Sequence, residues 1–128
     1  MARRAERSLS LTTGARLLWI DEHPGNNVNE IQLFRRLGIH IDLATTDDDA
    51  AKRLAGAVYD VVVSNMTRAD DEEAGAKFLP QILSATPPPH VIFYVGRDRA
   101  VPVGALGLTT RPDELLNLLL DALERAKG

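Results

Sequence analysis

An open α/β fold is predicted, with five strands in a parallel, doubly wound sheet and helices on both faces. Three observations carry it. Apolar segments of strand length alternate with helical patterns along the chain. The segments at residues 15–20, 61–63 and 91–95 are apolar almost throughout, as strands covered on both faces are. The length, 128 residues, suits one domain that buries roughly two-thirds of its unfolded surface.

The elements follow in order. Residues 1–13 read as a flexible basic tail carrying Arg3, Arg4 and Arg7, with residues 14–128 as the folded domain. Ala15 to Ile20 is the first strand, and Asp21-Glu22-His23-Pro24-Gly25 is the turn after it. Asn27, with Glu30 three positions on, has the spacing of a capping box. Val28, Ile31, Phe34 and Leu37 then form a helical stripe that Gly38 stops. Ile39 to Ala44 alternates apolar with polar residues, which predicts a more exposed strand. Thr46 before Asp47, Asp48 and Asp49 is a helix start, because carboxylates suit the positive end of the helix dipole. A helix over Gly75 to Leu83 is expected to be interrupted by Pro80 or to begin there. Pro87-Pro88-Pro89 leads stiffly into the strand His90 to Val95, and Leu106 to Thr109 is the last, short strand. Pro112, Asp113 and Glu114 open the final helix. Right-handed crossovers then give a flavodoxin-like strand order, 2-1-3-4-5.

Composition excludes several functions. Without cysteine there is no disulfide framework and no thiol chemistry, which fits a cytoplasmic protein. A formal charge of -3 gives no general attraction to nucleic acid, and the arginine tail is the only feature that points that way. No apolar run is long enough to span a bilayer, and no apolar stretch follows the N-terminal arginines as a secretory signal requires. No phosphate-binding loop, dinucleotide fingerprint or nucleophile-base pairing is present.

In such a sheet, ligands bind beyond the carboxyl ends of the central strands. Asp21, Glu22, Ser64, Asn65, Val95 and Arg111 are expected there. A strand ending in the acidic pair Asp21-Glu22, a second ending in Ser64-Asn65, and Gly104-Ala105 leading to Thr110-Arg111-Pro112 resemble the response-regulator receiver (CheY-like) family. The resemblance covers roughly residues 15 to 125. It implies two-component signalling, with a phosphorylated carboxylate at position 65 and an acidic pair that helps hold magnesium. The chain departs from that pattern at three of five positions. Asn65 lacks the anionic nucleophile. Val95 stands where the family has Thr or Ser and has no hydroxyl. Arg111 stands where the family has lysine. A single change made to block phosphorylation would explain Asn65 alone, so three changes together favour a natural pseudo-receiver. Magnesium binding would be weak without the third carboxylate, so no cofactor is expected. Arg111 could instead neutralise Asp21 and Glu22 and lock the pocket. Asp60 begins its strand and His23 stands without metal-ligating companions, so neither replaces the lost site.

Residues 97–103 are too few for the helix that the family places there, and Pro102 limits them further. In the final helix, Leu116, Leu119, Leu120 and Leu123 are expected to face the core. Leu115, Leu118 and Ala122 would then be exposed as an interaction face. Asp70-Asp71-Glu72-Glu73 is an acidic loop beside the pocket, a solvated segment or a dock for a basic partner. The expectation is a non-catalytic, phosphorylation-independent module that contacts a protein partner or a second copy through the last helix and the shortened loop. The alternative is that a small molecule or ion is sensed in the degenerate acidic pocket of Asp21, Glu22 and Arg111, in place of phosphate.

Overall fold

The computed structural model describes residues 10–68 and 70–127. Five parallel strands form one sheet in the order β2-β1-β3-β4-β5. They are β1 (Arg16–Ile20), β2 (His40–Ala44), β3 (Val61–Ser64), β4 (His90–Tyr94) and β5 (Gly107–Thr109). The helices are α1 (Val28–Arg36), preceded by a 3-10 turn at Pro24–Asn27, α2 (Asp47–Gly56), α3 (Ala74–Leu83) and α4 (Pro112–Lys127). No helix intervenes between β4 and β5.

Side chains alternate across the strands, so the sheet separates two cores. Leu17 and Trp19 of β1 face α1 and α4, with Phe34, Val63, Ile92 and Leu119 in the same cluster. Leu18 and Ile20 face α2 and α3, with Ala50, Val62, Phe78, Leu79 and Phe93. Trp19 stands edge-on to Tyr94 with 6.2 Å between ring centroids, and it tilts against Phe34 at the same separation. β2 is the more exposed strand expected at an edge, with His40 exposed and Asp42 and Leu43 half-buried.

Four expectations need correction. Residues 10–12, assigned to the tail, are helical; Leu11 packs against the core and Thr12 is fully buried. Arg3, Arg4 and Arg7 lie outside the described residues. Asn27 makes no side-chain cap on α1, because its amide donates to the Asp21 carboxylate instead. Pro80 neither starts nor breaks α3; it lies inside the helix, where the buried Phe78, Leu79 and Ile82 offset the missing N–H. The face expected for binding on α4 is largely core. Leu115 and Ala122 are fully buried, and Leu118 packs half-buried against the same cluster. Leu119 and Leu123 are buried as expected, whereas Leu116 and Leu120 are only half-buried.

Other local rules hold. The Thr46 hydroxyl accepts from Asp49 N–H at 3.0 Å and caps α2. Gly38, at φ +91°, ends the turn after α1 in a conformation that favours glycine.

One edge cluster sets a pH dependence. Tyr59 donates its hydroxyl to Asp42 at 2.6 Å, and His40, Arg53 and Arg16 also lie within ion-pair reach of that carboxylate. The Tyr59 hydrogen bond, helped by these cations against burial, holds the Asp42 carboxyl below its ordinary 3.8. Burial and the same bond push Tyr59 up to about 12. A carboxylate whose pKa is depressed on folding stabilises the fold above its unfolded pKa. That stability is lost as pH falls through the lower, folded value. We expect Asp42→Ala to cost about 1 kcal/mol near neutral pH. The gap from the parent should shrink as pH is taken below 3.8. Urea unfolding of both proteins at neutral and acidic pH checks this, and a constant gap would contradict it.

Candidate functional site

The carboxyl ends of β1 and β3 bring Asp21, Ser64 and Asn65 together on one rim. Asp21 N–H donates to Ala44 O and Asn65 N–H to Ile20 O, so the main chain fixes both residues. Asp21 is buried, and both of its oxygens are engaged. Oδ1 accepts the His23 N–H at 2.8 Å and Oδ2 accepts the Asn27 amide at 2.9 Å. Glu22 is half-buried beside it. His23 is exposed and reaches Asp21 through its main-chain N–H.

Asn65 closes a local turn. Its Oδ1 accepts the Met66 N–H at 2.8 Å, and its Nδ2 donates to Thr67 O over a long 3.4 Å. The loop is tied to α3 by a hydrogen bond from Gly75 N–H to Met66 O at 2.7 Å. That approach requires glycine. A Cβ at position 75 would lie 2.8 Å from Asn65 O and 2.8 Å from the Phe93 ring.

The sequence reading missed the dominant group on this rim, Arg68. Its side chain is 8% exposed. Nη2 donates to Ser64 Oγ and Nη1 to Asn65 O, both at 2.8 Å. Nε lies 2.9 Å from Asp47 Oδ1, an ion pair whose two atoms are not aligned for a hydrogen bond. Burial lowers the Arg68 pKa, while Asp47, Asp21 and Glu22 pull it back up. Arginine starts so high that it stays charged. Burial raises the Asp47 carboxyl, and Arg68 pulls against that rise. Arg68 and Asp71 also exchange main-chain hydrogen bonds at 3.1 and 3.0 Å. No periodicity marks Arg68; in sequence it looks like any arginine in a polar loop.

Arg111 does not neutralise the acidic pair. Its guanidinium donates to Asp113 at 3.1 Å and is 65% exposed, held by the first turn of α4. Its N–H donates to the buried Thr109 hydroxyl. Asp60 sits at the far end of the sheet, where it accepts the Arg16 N–H at 2.9 Å.

Val95 lines a cleft of about 630 Å³ beside Asn65, Thr67, Glu73 and residues 96–100, where no helix intervenes. Arg99 crosses it and donates both terminal nitrogens to Glu73 at 2.9 Å. Tyr94, one residue earlier, donates to Glu30 at 3.0 Å on the opposite face; burial and that bond push it up to about 12.

Solved structures of the same shape put this rim in context. The signal receiver domain of an HD domain-containing protein from Pseudomonas fluorescens Pf-5 matches with a TM-score of 0.76 at 20% identity, covering 88% of this chain and 97% of that one. A CheY-like response regulator receiver domain protein from Methanospirillum hungatei JF-1 matches with a TM-score of 0.75 at 16% identity, over 88% and 96% of the two chains. The response regulator protein TrrA from Thermotoga maritima, solved in complex with Mg(2+)-BeF, matches with a TM-score of 0.71 at 17% identity, over 84% and 98%. At such identities the likeness defines a fold, and the fold is that of receiver domains. No protein-family model matches the sequence, and the comparison with curated proteins found no match.

The residues of this rim do not fit magnesium. The ion prefers hard, charged oxygens with room for water. Here Asp21 is already doubly engaged, position 65 offers a neutral amide, and a guanidinium sits against Asn65 O. Among the described residues, no three acidic or histidine side chains gather as a metal site. Also among them, no helix is long and apolar enough to cross a membrane.

Proposed function

We propose that this chain is a phosphorylation-independent pseudo-receiver, a non-catalytic module that signals by protein contact in the cytoplasm. The observation that carries the reading is Asn65. A carboxamide stands at the end of β3 where a receiver would present its phosphorylated carboxylate, and its oxygen is turned onto Met66 N–H. An amide oxygen carries no full negative charge with which to attack phosphorus. Val95 adds no hydroxyl to sense a phosphoryl group, and Arg111 is engaged with Asp113.

The surface for a partner or second copy moves with the correction to α4. Leu115 and Ala122 are unavailable. The 97–103 segment offers instead Val101, 47% exposed, and Val103, fully exposed. A second reading is favoured by the cleft beside Val95: a small molecule or ion bound there replaces phosphate as the input. Saturable thermal stabilisation by such a ligand would support it.

Amide NMR with acetyl phosphate, or beryllofluoride and magnesium, tests the main reading. We expect no saturable shifts at Asp21, Asn65 or Val95. Specific shifts there would mean that the pocket still takes a phosphoryl group or its mimic, and the phosphorylation-independent reading would fall.

A further inference from the structure

We infer that Arg68 is the resident cation of the acidic rim and that its guanidinium, beyond the missing carboxylate at position 65, closes this site to a divalent metal. The inference rests on the pseudo-receiver reading and adds a second, independent barrier to it.

The geometry is that of a filled site. Each nitrogen of the guanidinium meets an oxygen at the strand ends: Ser64 Oγ, Asn65 O and an Asp47 carboxylate oxygen. Asn65 O and the Asp47 carboxylate are hard oxygens of the kind magnesium would use. Asp21 and Glu22 are near enough to act electrostatically on the same cation. A delocalised cation with five donors can satisfy several oxygens in a plane, which a hydrated metal ion cannot do in so enclosed a space.

The side chain is also held in place. The main-chain hydrogen bonds between Arg68 and Asp71 fix its backbone, and the pair with Asp47 bridges from this loop to the start of α2. Swinging the guanidinium aside would leave the Ser64 hydroxyl without this donor and Asp47 without its cation. A metal would have to displace it against those losses, and like-charge repulsion forbids both cations together.

Restoring the carboxylate alone should therefore not restore the site. The experiment compares the full chain as Asn65→Asp, and as Asn65→Asp combined with Arg68→Ser, using manganese as a paramagnetic probe and magnesium with beryllofluoride as a second. We expect selective broadening of the Asp21 and Glu22 amides only in the double variant. Its manganese affinity should be at least about tenfold tighter than that of Asn65→Asp. If Asn65→Asp binds as tightly as the double variant, the Arg68 inference is overturned while the reading of Asn65 as the lost phosphoacceptor stands. If neither binds, the inference is also overturned, because removing the guanidinium should open the site. Manganese binding by the parent protein would overturn the Arg68 inference, and a saturable beryllofluoride response by the parent would sink the pseudo-receiver reading as well. Should the double variant not fold, the parent's Arg68 Nε–H signal decides. A slowly exchanging signal unmoved by millimolar magnesium supports a locked cation, and one displaced by magnesium overturns it.

Discussion

Gly75→Val is expected to cost about 3 kcal/mol or more and to disturb the Asn65 turn directly. A Cβ at this position would meet Asn65 O at 2.8 Å, Phe93 Cε1 at 2.8 Å and Met66 Cα at 3.0 Å. Two of these atoms are main chain and cannot rotate away, and Phe93 is fully buried. Replacing a helical glycine normally gains about 1 kcal/mol of propensity with alanine and less with valine. Overpacking in a tight core costs typically about 1–3 kcal/mol, so the clash wins. Urea denaturation gives the number. An unchanged or higher midpoint would mean that the loop and α3 separate easily, and that this approach does not hold the rim in place.

Leu115→Ala should cost about 3 kcal/mol, whereas Leu120→Ala should cost about 1 kcal/mol. Leu115 is fully buried against the sheet, and Leu120 is half-buried. The loss at Leu115 should not depend on protein concentration, since the methyl groups are removed from the domain's own core. A midpoint that shifts with concentration would place this residue at an interface between copies instead.

That helix also shows where sequence reading stops. Between Leu115 and Leu123 most positions are apolar, so a stripe through Leu116 and Leu120 fits about as well as one through Leu115 and Ala122. Its neighbours decide the phase. Leu118 packs where a Cβ on Gly107 would stand, so the glycine lets the helix lie close on β5. The strands were far easier to read, because runs such as Leu17–Ile20 and Val61–Val63 are buried on both faces and allow little else. Asp21, Asn65 and Val95 follow from those strand ends. Arg68 does not. Its burial depends on Asp47, which only the fold brings beside the Ser64 strand end, and a charged side chain in a polar loop predicts exposure. Arg111 misleads for the opposite reason, since Asp113 lies within local reach and holds its guanidinium.

The sheet's outer limit beyond β4 has a consequence for self-association through the backbone. β5 contains three residues, Gly107–Thr109, and pairs with β4 on one side only. Its outward edge therefore presents just a few N–H and C=O groups. Strands that recruit other chains into amyloid-like stacks need a longer, flatter template, commonly six or seven residues. Even without a helix between β4 and β5, this edge of the sheet offers little purchase for edge-to-edge polymerisation. Copies that meet along β5 should separate again, without growing from that side into a continuous ribbon.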